Sequence, residues 1–330
     1  MFKKWAAAII ACIFLSGGAW AQPKGRLSIF IAYTGIGPIL EEFTRDTGIE
    51  VDHLEMSSGE VLTRIRAAKG KAQADAWFGG GLDSYVAAAE EGFLEPYVSP
   101  EREPYDAMFY DEGGMWSGIS LGCVVLMGNT EALAQKGLSM PQSWRDLTDP
   151  AYKDEVLMAT PSVSGTFYAM VSGIVQTMGP DEGWELLEAI DANVPWYSKR
   201  GAEPANKVSL GEAAVAVAPF DTVQRLQQEG HEVEMAFPKD GVPWYVAPVA
   251  IFKGAQHPDE AKALVDWALS EKGQAALARH NTQAPIRPGV ELAPAVKAMR
   301  ESDLMRMDVV KAGQAREEIL SVWQEKFGHK

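Results

Sequence analysis

One local unit recurs along this chain of 330 residues and limits what it can fold into. A short apolar run is followed by a turn rich in Gly, Ser or Thr, and then by a segment with helical spacing. Residues 27–32 lead into Tyr33-Thr34-Gly35-Ile36-Gly37-Pro38, and residues 50–55 into Ser57-Ser58-Gly59-Glu60. Residues 74–78 lead into Gly79-Gly80-Gly81 and a helix over 82–91, and residues 156–159 into 160–166 and a helix through 177. Strands alternating with helices in this way predict an α/β chain with a parallel sheet.

Local signals mark the ends of these segments. Pro38 suits the first helical position, where a missing N–H costs nothing, and Gly48 suits a helix stop. Further strands are expected at 115–127, 194–197, 213–218, 232–237 and 246–252. Helices are expected at 129–136, 181–190, 222–229, 258–270 and 272–278, with one long amphipathic helix over 304–327. No internal repeat or low-complexity segment is visible.

Lys3 and Lys4 precede an apolar run over 5–15, and Ala19-Trp20-Ala21 presents small residues where a signal peptidase reads them. Residues 1–21 are therefore expected to be a secretory leader, with an uncleaved anchor and processing at Cys12 as alternatives. The apolar run falls short of the roughly 20 residues that span a bilayer. Loss of the leader leaves Cys123 as the single cysteine, so neither an internal disulfide nor a Cys-rich zinc site is expected. An exported chain without a staple points to a periplasmic location.

The net charge is −15, from 30 Lys and Arg against 45 Asp and Glu, and losing Lys3 and Lys4 makes it more negative still. Phosphate neutralisation needs basic clusters, so nucleic acid is not an expected partner.

The four junctions share one chemistry. A helix N-terminus exposes N–H groups and partial positive charge, glycine admits close backbone approach, and hydroxyls add donors. In an open parallel sheet such junctions gather beyond the carboxyl ends of the strands, where ligands bind. Each junction taken alone is explained by ordinary capping, and Ser57-x-x-Glu60 is a capping box. Their joint recurrence at one topological position predicts an anion site.

Several stretches carry a family resemblance: Ser57-Ser58-Gly59, Ala74-Asp75-Ala76-Trp77-Phe78-Gly79-Gly80-Gly81-Leu82-Asp83, Glu91-Gly92-Phe93-Leu94-Glu95-Pro96-Tyr97, and Trp144-Arg145-Asp146-Leu147-Thr148-Asp149-Pro150, with 160–166 and 249–254. In these the chain resembles a type II periplasmic solute-binding protein of an ABC importer. It is most similar to the ferric-iron-type cluster and, within it, to the hexose-phosphate- and phosphonate-binding branch. The resemblance implies an α/β, two-lobed periplasmic binding protein type II fold with a ligand cleft between the lobes. The expected lobes are 22–118 plus 250–285 and 119–249, with 286–330 packing at the hinge or on the second lobe. The connecting strands would lie at 115–127 and 246–252.

Iron-binding members carry a Tyr-Tyr pair after the strand matching 213–218, whereas this chain reads Ala218-Pro219-Phe220-Asp221-Thr222. The hexose-phosphate branch has a His-Asp pair there and a later Glu. Here Asp221 is kept, Phe220 stands in place of the His, and Asp240 in place of the Glu. The implied ligand is a small organic anion: a phosphorylated sugar, a phosphonate or a carboxylate. Its anionic group would be held by Thr34, Ser58, Gly80, Ser164, Gly165 and Thr166. Asp221 and Asp240 would accept hydrogen bonds from it, Lys199 (rather than its neighbour Arg200) would pair with its charge, and Tyr245 would cover its apolar face. No cofactor is implied. The partners are the solute and an inner-membrane ABC permease, and the receptor is expected to be a monomer.

Two alternatives stay open. One is an iron(III) receptor with a nonstandard ligand set that draws on Tyr33 or Tyr197. The other is a secreted hydrolase. Gly118-Ile119-Ser120-Leu121-Gly122 has the spacing of a nucleophile elbow, but the apolar run after it predicts that Ser120 lies within a crossing strand. The five histidines lack metal-ligand spacing, so no enzyme is expected.

Overall fold

The computed structural model describes residues 25–33, 35–280 and 284–330. The expected leader and Thr34 lie outside them.

Eleven strands are present among the described residues: β1 (Gly25–Ile31), β2 (Ile49–Glu55), β3 (Ala76–Phe78), β4 (Leu94–Glu95), β5 (Ser117–Asn129), β6 (Val156–Ala159), β7 (Tyr197–Ser198), β8 (Val215–Pro219), β9 (Val233–Ala236), β10 (Trp244–Phe252) and β11 (Ala284–Pro285). Neighbours follow the order β2-β1-β3-β10-β5-β8-β6-β7. β1 pairs in parallel with β2 and β3, and β6 in parallel with β7 and β8. Helices cover the inner strands, so β3, β6 and β8 read as continuous apolar runs, whereas the edge strand β2 is largely exposed. All thirteen residues of β5 are buried, as are all nine of β10.

The two long antiparallel strands join the parallel groups. Residues 117–123 of β5 pair with β10, while residues 124–129 pair with β8 and, further along, β9. β10 in turn pairs with β3. One half of the molecule is thus built on β1–β3 and the other on β6–β8, with β5 shared. The β10–β5 register slips at Ala247/Pro248, a bulge that tolerates a proline in a central strand. The Pro248 carbonyl accepts hydrogen bonds from the Gly79 amide at 2.6 Å and the Tyr85 hydroxyl at 3.1 Å, fixing the turn after β3.

Helices follow the strands as the junctions predicted. Gly37–Thr47 follows β1, Ser58–Ala67 follows β2, Leu82–Glu90 follows β3, Gly165–Met178 follows β6 and Phe220–Gln228 follows β8. Gly48 closes the first of these in the left-handed conformation, with φ 77°. Pro38 occupies its second residue, with Gly37 ahead of it.

The expected helix over 304–327 is corrected. Val242 forms a β-bridge with Leu304, and the Trp244 indole donates to the Met305 carbonyl at 2.8 Å, so this stretch is pulled into extended backbone. Asp308 then caps a short helix, Val309–Gln314, and a separate helix runs Arg316–Phe327. A further helix, Pro294–Glu301, precedes them.

Candidate functional site

The carboxyl ends of the parallel strands of both halves converge on one cavity of about 130 Å³. It is lined at the ends of β1 and β2 by Tyr33, Glu55 and Ser58, after β3 by Gly80, after β6 by Ser164, Gly165 and Thr166, after β7 by Arg200 and Gly201, and after β8 by Asp221 and Thr222. Tyr245 of β10 completes the wall. An apolar cavity of roughly 150 Å³ admits a benzene ring, so this space suits the head group of a small solute.

Two helix N-termini open onto it. Ser164 is the N-cap of Gly165–Met178, and its Oγ accepts from the Phe167 amide at 3.5 Å. The first amides of a helix have no intrahelical acceptor. Those of Gly165 and Thr166 find none among the described residues, and both residues line the cavity. From the other half, Ser58 begins the helix Ser58–Ala67, and its Oγ accepts from the Gly81 amide at 2.9 Å. The capping box is formed, with the Ser57 amide donating to the Glu60 carboxylate at 2.8 Å.

The polar groups of the inner wall are coupled. Tyr245 is buried; burial, followed by the nearby Asp221 charge, pushes its phenol well above the ordinary value, while a hydrogen bond with Thr166 opposes the shift. Burial and then Asp221 likewise push the Cys123 thiol up, so Cys123 is a protonated core residue. Tyr33 and Ser120 share a hydrogen bond between their hydroxyls.

Of the ten residues expected from the sequence, Ser58, Gly80, Ser164, Gly165, Thr166, Asp221 and Tyr245 are brought together here. Thr34 lies outside the described residues. Two placements need correction. Lys199 is exposed and does not line the cavity, whereas Arg200, the next residue in the bend after β7, does. Asp240 does not line it either. Its carboxylate accepts from the Trp144 amide at 2.9 Å and the Arg145 amide at 3.3 Å, holding the turn Arg145–Thr148.

Of the tyrosines weighed for iron, Tyr33 lines the cavity. Tyr197 does not: its hydroxyl donates to Asp191 at 2.7 Å, and its ring packs edge-on to Trp323. Ser120 sits fully buried inside β5, so the strand–turn–helix geometry of a nucleophile elbow is missing there. Among the described residues, no group of three or more His, Cys, Asp or Glu side chains is arranged to hold a metal. Glu55 and Thr222 also line the cavity. Glu55 carried no sequence signal, being one more exposed acid at a strand end.

Residues 83–309 match the family of bacterial extracellular solute-binding proteins. An uncharacterized protein of Haemophilus influenzae is 35% identical over 277 residues, covering 81% of this chain and 79% of that one. The phosphoglycerate transport regulatory protein PgtC of Salmonella typhimurium is 34% identical over 165 residues, 49% of this chain and 41% of its own. Among solved structures, the periplasmic binding protein AfuA from Actinobacillus pleuropneumoniae, with fructose-6-phosphate bound, superposes with a TM-score of 0.88 at 30% identity, covering 92% of this chain and 99% of that one. The chain therefore belongs to the bacterial extracellular solute-binding proteins, and its two halves are the lobes of a type II periplasmic binding protein fold with the cleft between them.

Proposed function

We propose that this protein is the substrate-binding component of an ABC uptake system, capturing a small organic anion that carries a phosphate group and delivering it to an inner-membrane permease. The leader expected over residues 1–21 would place it in the periplasm. The observation that carries this reading is the pair of amides at Gly165 and Thr166 that find no acceptor among the described residues, in a cavity also lined by Ser58 and Arg200. Helix amides and an arginine fork suit a tetrahedral anion. AfuA, solved with fructose-6-phosphate bound, and PgtC, a phosphoglycerate transport regulatory protein, support a phosphate ester. Asp221 would accept a hydrogen bond from a hydroxyl or amine elsewhere on the solute.

Binding would draw on both lobes. A solute that contacts both favours the closed arrangement, and hinge closure then buries it and presents one surface to the permease. With so negative a chain, affinity must rest on short-range donors, since long-range attraction of an anion is absent.

A thermal-shift screen with fructose 6-phosphate, 3-phosphoglycerate, free fructose and ferric citrate tests this. A phosphate ester that binds should stabilise the protein by about 2.7 kcal/mol at a hundredfold excess over Kd, with free fructose inactive. Ser164→Asp places a second negative charge at the helix N-terminus and should abolish the response. Stabilisation by free fructose as strong as by its phosphate would overturn the reading. So would binding of ferric citrate alone with a coloured iron–phenolate band, an outcome that Tyr33 and Tyr245 in the cavity make worth measuring.

A further inference from the structure

The C-terminal helix Arg316–Phe327 is anchored on the second lobe. Trp323 packs on Tyr197 with ring centroids 5.1 Å apart, and beyond the helix Lys330 reaches Asp191 at 3.0 Å and the Val194 carbonyl at 2.8 Å. Its first residue points the other way. The Arg316 Nε donates to Asp83 of the first lobe at 2.8 Å, and its terminal nitrogen donates to the Ser162 carbonyl of the second at 3.2 Å. Arg316 and Asp83 are each only 5% exposed, an unusual burial for a charged pair. Around them the lobes touch directly. The Gly59 amide donates to the Val163 carbonyl at 3.1 Å, and a Cβ on Gly81 would lie 2.7 Å from the Gly165 Cα.

The geometry points to Arg316 as a positioning residue that clasps the two lobes, holding the turn that carries Ser164 against the start of the helix Leu82–Glu90. A buried ion pair repays its desolvation only with good geometry and additional hydrogen bonds. Both are present. Asp83 also accepts from the Ser84 hydroxyl at 3.2 Å, and the Arg316 guanidinium lies 5.7 Å from the centre of the Tyr168 ring. Every one of these contacts is made by protein atoms, so the clasp favours closure whether or not solute is bound. Arg316 lines no part of the cavity, yet it sets the fraction of molecules whose two amide-bearing turns already face each other. Apparent affinity scales with that fraction. This second consequence rests on the phosphate-ester reading; the clasp itself does not.

The test uses the full chain with spin labels on one exposed site in each lobe, at Glu50→Cys and Glu185→Cys, and reads the distance distribution without added solute. The protein with Arg316 and Asp83 intact should show a short-distance population. Arg316→Ala and Asp83→Asn should each deplete it, and the double variant should do no more than either alone. Glu317→Gln, which removes only the exposed contact to Arg66 at 2.8 Å, should leave it in place. If Arg316→Ala does not fold, Arg316→Lys carries the test, because it keeps the charge and loses the two-pronged contact. Identical distributions in the intact protein and the variants, or no short population in the intact protein, would overturn the clasp. Fructose 6-phosphate affinity, read separately by calorimetry, should fall about tenfold in the depleted variants. Unchanged affinity alongside depleted closure would refute the coupling, whereas no binding by the intact protein would count against the phosphate-ester reading alone.

Discussion

Gly79 and Gly80 take φ values of 77° and 93°, which side-chain-bearing residues rarely adopt. A Cβ on Gly79 would lie 2.3 Å from the Tyr33 ring, and one on Gly80 would lie 2.4 Å from the Ser58 Oγ. The glycines after β3 therefore do more than turn the chain; they let Tyr33 and Ser58 reach the same wall. The contrast between Lys199 and Arg200 is equally local. Both are exposed and adjacent in sequence, but only Arg200 faces the cavity. Arg200→Ala should weaken fructose 6-phosphate binding by about 10- to 100-fold, the range for a charge-assisted hydrogen bond. Lys199→Ala should leave binding unchanged, and thermal midpoints should barely move in either. Calorimetric titration of both variants checks the contrast.

At the scale of elements, Asp75 shows how the end of one strand is tied to its neighbours. Its buried carboxylate accepts from the Ser28 amide at 2.9 Å, the Gln256 and His257 amides at 2.8 and 2.9 Å, and the His257 ring at 3.0 Å. These contacts bind the approach to β3 to β1 and to the turn before the helix Pro258–Leu269. Burial raises the carboxyl's pKa, but the hydrogen bonds from Ser28 and His257 outweigh it and hold the group below its usual value of 3.8. A depressed folded pKa contributes stability that is present above the unfolded value and lost as pH falls through the folded one. Asp75→Asn should thus cost about 3 kcal/mol near neutral pH. The deficit should begin to shrink as pH falls below the unfolded value of 3.8 and vanish as it passes the lower folded one, where the native carboxyl itself takes up a proton. Urea unfolding at a series of pH values measures both.

For the whole molecule, the decisive feature is that β5 serves both lobes, pairing with β10 through residue 123 and with β8 from residue 124. The turns on either side of the cavity belong to different lobes but are linked through two fully buried strands. A solute held by both should slow amide exchange at 57–59 and 79–82 in one lobe and at 160–167 in the other. The edge strand β2 should be unaffected ahead of Glu55, which lines the cavity. Hydrogen exchange with and without fructose 6-phosphate reads this directly. Protection confined to one lobe would mean that binding occurs without closure.

The sequence by itself determined the α/β order, the junction chemistry and seven of the residues that line the cavity. Helix caps, glycine turns and apolar periodicity act over a few residues, so Ser57-Ser58-Gly59-Glu60 and 160–166 could be read as helix starts, and the sheet rule placed them together. Side-chain direction and long-range pairing lie beyond that range. Only the tertiary structure decided that Arg200 rather than Lys199 faces inward, and that Asp240 holds the Trp144 turn. It also broke the C-terminal segment at Leu304 through a bridge to Val242 and brought Arg316 to Asp83 across 233 residues of sequence. No local preference encodes such contacts; they exist because two lobes sharing one strand must meet somewhere.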